Sequence, residues 1–79
     1  MKILIVEDEA ALQEVICKSL EQEHYVVETA ENCLTAMRKV NAYTYDCILL
    51  DIMLPDGSGL QILEHLKKLR KQDLSLIHI

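Results

Sequence analysis

Apolar residues in this chain come in two kinds of run, and the two kinds alternate. Ile3-Leu4-Ile5-Val6 and Cys47-Ile48-Leu49-Leu50 are short unbroken apolar blocks. Blocks of this length without polar alternation are typical of strands buried on both faces of a parallel sheet. The first strand is read as Lys2 to Val6 and the third as Asp46 to Leu50. Tyr25-Val26-Val27-Glu28-Thr29, rich in β-branched residues, predicts the second. Between the strands the apolar period lengthens to that of a helix. Leu12, Val15, Ile16 and Leu20, with Gln13, Glu14, Lys18 and Glu21 opposite, predict a first helix that ends in the polar cluster Glu21-Gln22-Glu23-His24. Leu34, Met37 and Val40 predict a second helix behind Ala30-Glu31-Asn32, and Asn41 to Tyr45 reads as a loop. A third helix is predicted from about Ser58 to Lys71, with Leu60, Leu63, Leu66 and Leu69 as its stripe.

Strands and helices alternating in this way predict an α/β fold with a parallel sheet and right-handed crossovers. In the flavodoxin-like doubly wound order the first strand lies between the second and the third. The expected architecture is such a flavodoxin-like sheet, with strands 1–3 and helices 1–3.

Both buried strands end abruptly on acids. The first runs into Glu7-Asp8-Glu9, and the third into Asp51. Pro55, Gly57 and Gly59 follow, so the chain turns sharply before the third helix. Ligands of open α/β sheets bind at the carboxyl ends of the strands, where the strand order reverses. The expected order brings Glu7, Asp8 and Asp51 together at that place. Two carboxylates about 4 Å apart repel by roughly 4 kcal/mol at an effective dielectric of 20, so such a cluster needs protons or a cation. A hard divalent ion such as Mg²⁺, which takes carboxylate, water and phosphate oxygens, meets the need. The plainer alternative has Asp51 ending a strand in solvent, with Glu7 and Glu9 favouring the N-terminus of the first helix. It accounts for Glu9 but not for Asp51.

Composition narrows the function classes. With 79 residues the chain holds one domain at most, of a size that buries only about 60% of its unfolded surface. It has no Trp and no Phe, so Leu, Ile, Val and Met must build the core. A net charge of −5 argues against direct nucleic-acid or anionic-membrane binding by this segment, since both need a basic surface. Lys67, Lys68, Arg70 and Lys71 crowd the predicted end of the third helix, where they suit its dipole. No apolar stretch approaches the ~20 residues of a membrane span, and the N-terminus does not read as a signal peptide. The expected compartment is the cytoplasm. Cys17, Cys33 and Cys47 show no zinc-ligand spacing, and Cys17 and Cys47 read as small buried hydrophobes. His24, His65 and His78 are scattered and are assigned no chemistry.

Two stretches carry a family likeness: ILIVEDE, Ile3 to Glu9, and ILLDIMLPDGSG, Ile48 to Gly59. In this order and spacing they resemble the receiver domain of bacterial two-component response regulators, and the likeness runs from Met1 to about Gln72. The resemblance implies that Asp51 accepts a phosphoryl group from a phosphohistidine on a sensor histidine kinase. It implies that Mg²⁺ is bound by Asp8 directly, by Glu7 through water, by Asp51, and by the backbone carbonyl of Met53. It further implies a signalling switch rather than an enzyme, with self-phosphorylation chemistry at most, and an output domain on the C-terminal part that this chain lacks.

The family has five strand–helix units, and this chain matches three and a stub. The Ser or Thr ending the fourth strand, the Lys after the fifth and the switch aromatic fall outside the match. On this reading residues 1–79 are the N-terminal part of a receiver domain, truncated after the third βα unit. Leu74-Ser75-Leu76-Ile77-His78-Ile79 occupies the place of strand 4. The same residues are what CTG-TCT-CTT-ATA-CAC-ATC encodes, the end of a common transposon-based sequencing adaptor. A non-native tail over residues 74–79 is therefore the favoured expectation, with a genuine strand as the alternative. Cys33, where many relatives have Gly, and His24, near a position often Gly, are smaller departures. Two other functions stay open: a fragment that is inactive or serves only for interaction, and a haloacid-dehalogenase-type phosphotransferase. The latter wants a second Asp where this chain has Met53.

Overall fold

A computed structural model describes residues 1–51, 53–68 and 75–78. Its elements are β1 (Lys2–Val6), α1 (Ala10–Gln22), β2 (Val26–Ala30), α2 (Cys33–Ala42), β3 (Cys47–Leu50), β4 (Met53–Leu54), β5 (Gly57–Ser58), α3 (Gly59–Lys68) and β6 (Ser75–His78). Four strands form one sheet in the order β2-β1-β3-β6, all pairs parallel. The chain leaves β1 to one side for β2 and returns to its other side for β3. The reversal therefore lies between β1 and β3, as the doubly wound order requires. β6 pairs with β3, Cys47 opposite Ser75 and Leu50 opposite His78, in the place expected of a fourth strand. β4 and β5 form a small antiparallel hairpin that the sequence pattern did not announce.

Alternation along the strands splits the core in two. Ile3, Ile5 and Cys47 face α1, where Ile16, Cys17 and Leu20 pack on them. Leu4, Val6, Ile48 and Leu50 face the other side, under Ala36 and Val40 of α2 and Ile62 and Leu66 of α3. The helix faces differ in detail from the sequence expectation. Val15 of α1 is exposed, because α1 rests on the sheet through positions 12, 13, 16, 17 and 20. Leu34 of α2 is exposed as well, and Cys33, Ala36 and Val40 take the buried face, two of them small enough for close approach to the sheet. In α3 the leucine stripe gives way to Gly59, Ile62 and Leu66, with Leu60 outside. A strict three-residue spacing slips about 60° around a helix at each step, so it cannot keep one face buried. Leu69, and the helix end at Arg70 and Lys71, lie outside the described residues, as do Leu74 and Ile79 of the tail.

Boundaries shift by a residue or two. β2 starts at Val26, α2 continues to Ala42, and Asp46 precedes β3. Tyr45, expected in a loop, is 3% exposed and belongs to the main core. Its hydroxyl donates to Glu28 Oε1 at 2.8 Å, and the same carboxylate holds Lys2 Nζ at 3.0 Å. The Lys2 ammonium also lies 4.7 Å and 5.3 Å from the ring centroids of Tyr43 and Tyr45. Asp46 closes this group by accepting from the Lys2 backbone N–H at 2.8 Å. These contacts tie the amino ends of β1 and β3 to the middle of β2. The Tyr45 hydroxyl, and after it Lys2, hold the Glu28 carboxyl below the usual glutamate value.

The end of α1 is closed by two crossed hydrogen bonds. Tyr25 N–H donates to the Leu20 carbonyl and His24 N–H to the Glu21 carbonyl, which is the Schellman arrangement. The position after the cap must then be left-handed, and His24 has φ 67° there. Leu20 and Tyr25 pack in the same apolar cluster, as that arrangement favours.

Candidate functional site

The register of the central strands builds the site. Val6 of β1 stands opposite Leu50 of β3, so Glu7 and Asp51 lie side by side one residue further on. Backbone bonds carry the ladder to this point. Asp51 N–H donates to the Val6 carbonyl and Glu7 N–H to the Ala30 carbonyl, both at 3.0 Å. Asp8 follows on the same rim. One carboxylate oxygen from each of Glu7, Asp8 and Asp51 lies within 4.8 Å of the others. Among the described residues this is the one group of three such side chains whose donor atoms meet.

The three acids differ in setting. Glu7 is 4% exposed, Asp51 is half-buried and Asp8 faces solvent. The buried one is fixed from several sides. Glu9 N–H donates to Glu7 Oε2 at 3.1 Å, and Gln13 Nε2 donates to the Glu7 carbonyl at 3.0 Å. Glu9, at the N-cap of α1, makes no side-chain cap. Burial pushes the Glu7 carboxyl above its usual value, the Glu9 N–H works against that rise, and Asp8 and Asp51 add to it. An all-oxygen, acidic, half-open donor set of this kind suits a hard divalent cation.

Met53 comes to the site through its backbone. Its N–H donates to Asp51 Oδ1 at 3.0 Å, while its side chain is 82% exposed. The loop that follows is fastened in a way the sequence reading missed. Asp56 accepts the N–H of Cys33 with Oδ1 at 2.7 Å and the N–H of Leu34 with Oδ2 at 3.1 Å. Asn32 Oδ1 accepts the next free amide, that of Thr35, at 2.8 Å. Gln61 Oε1 takes the Ser58 N–H at 3.1 Å and receives the Cys33 thiol at 3.7 Å. The Asn32 cap is foreshadowed by a polar residue before an apolar period. Nothing local in Pro55-Asp56-Gly57 points to a helix 23 residues away.

Comparison with known proteins agrees with this geometry. The family model described as response regulator receiver domain matches residues 3–79. The phosphate regulon transcriptional regulatory protein PhoB of Escherichia coli is 46% identical over 67 residues, which are 85% of this chain and 29% of that protein. The chain thus spans about three-tenths of the length of the curated relatives it matches. The response regulator TrrA of Thermotoga maritima, solved in complex with Mg²⁺–BeF, superposes with a TM-score of 0.87 at 36% identity, over 95% of this chain and 64% of that one. A response regulator of Burkholderia pseudomallei, solved with a phosphorylated aspartic acid and a calcium ion, gives 0.89 at 25% identity, over 98% and 45%. With the sheet order, the acid cluster and the matched residues in agreement, the chain belongs to the response regulator receiver domain family.

Proposed function

We propose that Asp51 accepts a phosphoryl group from the phosphohistidine of a sensor histidine kinase, and that Mg²⁺ supports the transfer. The carrying observation is the meeting of Glu7, Asp8 and Asp51 at the point where the strand order reverses. Asp8 and Asp51 offer direct carboxylate ligands, Glu7 offers one through water, and Met53 offers its backbone carbonyl. When bound, the ion neutralises charge on the phosphoryl oxygens and on the acids. The chain's own residues supply the nucleophile and hold it. An Asp51 carboxylate oxygen attacks phosphorus in line, the bond from phosphorus to the imidazole nitrogen breaks, and the imidazole keeps the electron pair and takes up a proton. The Met53 N–H on Oδ1 holds the Asp51 carboxylate in one rotamer, leaving Oδ2 for attack. Buried Glu7, tied to Glu9, stays in place while the solvent-facing Asp8 adapts.

The aspartyl phosphate carries about −1.5 to −2 charges where the carboxylate carried −1, a net change of about −0.5 to −1 at the rim that bears on what the neighbouring loops prefer. The role is that of a signalling switch whose chemistry is confined to its own phosphorylation. Relatives such as PhoB are transcriptional regulatory proteins, which supports an output domain in the longer protein that carries this chain. Cytoplasmic placement follows from the kinase partner. Among the described residues no helix is long and apolar enough to cross a membrane.

The test is incubation with acetyl phosphate and MgCl₂, followed by peptide mass spectrometry. The expected product is one hydroxylamine-labile phosphoryl group on the peptide holding Asp51. It should be absent without Mg²⁺ and absent in Asp51→Asn. Label on a different residue, or label that persists in Asp51→Asn, would refute the assignment.

A further inference from the structure

The β4–β5 hairpin joins two places that are distant in sequence. Met53 pairs with Ser58 and Leu54 with Gly57, leaving only Pro55 and Asp56 for the turn. So short a hairpin couples its tip closely to its base. Its base is tied to the phosphoacceptor through the Met53 N–H on Asp51 Oδ1. Its tip is tied to α2 by both oxygens of Asp56, on the amides of Cys33 and Leu34. α2 is itself held against the sheet by buried Ala36 and Val40 and by Lys39 Nζ, which donates to the Thr29 carbonyl. It also has a cap of its own in Asn32. Asp56 is thus more than a helix cap. It fastens the segment that starts two residues after Asp51 to a helix packed on the sheet.

We infer that Asp56 is a positioning residue for the metal site: by anchoring the hairpin tip to the first two amides of α2, it fixes the backbone of Met53 beside Asp51. The inference rests on the phosphoacceptor reading and deepens it. A charged acceptor on two backbone amides gives short, directional bonds, and the two-residue turn passes that constraint to Met53. Without it the hairpin keeps its attachment at Asp51, the buried Leu54 side chain and the lighter tie of Ser58 to Gln61, and its tip loses its tie to α2. The Met53 backbone, which would offer its carbonyl to the ion, is then less firmly fixed beside Asp51.

The experiment is a calorimetric titration of MgCl₂ into the unaltered chain and into Asp56→Ala, Asp56→Asn and Asn32→Ala, with far-UV circular dichroism on each. Loss of supporting contacts around a metal typically costs 10–100-fold in affinity, and at this remove about tenfold is expected for Asp56→Ala. Asp56→Asn keeps one acceptor oxygen but turns an NH2 donor toward the other amide, so it should recover only part of that loss. Asn32→Ala removes a cap from the same helix without touching the hairpin, and its Mg²⁺ affinity should stay within about twofold of the unaltered chain, against the tenfold loss above. Equal affinities in all four proteins would overturn the inference, and so would equal losses in Asp56→Ala and Asn32→Ala, because Asp56 would then act only on helix stability. No Mg²⁺ binding by the unaltered, folded chain would refute the metal site itself, and the inference with it.

Discussion

His24→Gly is expected to stabilise the chain, although it deletes a side chain and adds no contact. The backbone at His24 has φ 67°, imposed by the paired hydrogen bonds that close α1. A residue with a Cβ is about 1–2 kcal/mol less stable in the left-handed region than in the right-handed one. Glycine escapes that cost but gives the unfolded chain more freedom, which takes back about 0.4–1 kcal/mol. The net gain is about 0.5–1 kcal/mol, and for a domain of this size about 1 kcal/mol moves Tm by 4–8 °C. Urea unfolding followed by far-UV circular dichroism measures it directly, with His24→Ala as the control. Alanine keeps the Cβ and so keeps the strain, and it should gain nothing. If the glycine variant is no more stable than the alanine variant, the left-handed backbone is not where the cost lies.

Tyr45→Phe should lose about 1–2 kcal/mol at neutral pH by removing the hydroxyl from Glu28, in the same unfolding assay. Glu28 is held below its ordinary value of 4.5, so it binds fewer protons folded than unfolded. Its contribution is whole above that pH and falls away as pH drops through the folded value. The gap between the two proteins should therefore narrow under acid, and a constant gap from neutral pH to acid would contradict the linkage. Asp51→Asn should raise stability in Mg²⁺-free buffer, since the acid oxygens lie within 4.8 Å of one another. Each charge pair at that distance costs about 3 kcal/mol at a dielectric of 20, and screening at this open rim leaves a net gain of about 1 kcal/mol. A variant less stable than the unaltered chain without Mg²⁺ would show that the acids do not strain the fold.

What could be read in advance followed from patterns that repeat. Ile3 to Val6 and Cys47 to Leu50 are covered on both faces, and an unbroken apolar block of that length is at ease in water on neither. The meeting of Glu7, Asp8 and Asp51 followed once the strand order was expected, because register alone carries it. Contacts that depend on a single partner could not be read. Val15, Leu34 and Leu60 are as apolar as their buried neighbours, and only the seating of each helix decides which face is covered. Tyr45 looked like a loop residue because its burial depends on Glu28 and Lys2, which belong to other strands. Asp56 looked like a turn former. Its second role exists only because folding brings α2 to it.

The cluster of Lys2, Glu28, Tyr43 and Tyr45 sits at the floor of the sheet, opposite the acidic rim. Opposite charges meet at the floor and like charges at the rim, so the sheet is electrostatically polar along its strands. Such a layout separates two kinds of inheritance. Substitutions around the rim change the acidic groups themselves, while the floor keeps the strands aligned. Drift at the floor works differently. It leaves every reactive group in place, yet lowers the margin within which the rim can carry its mutual repulsion, so a lineage that loses Lys2 or Tyr45 should tolerate fewer changes near Asp51.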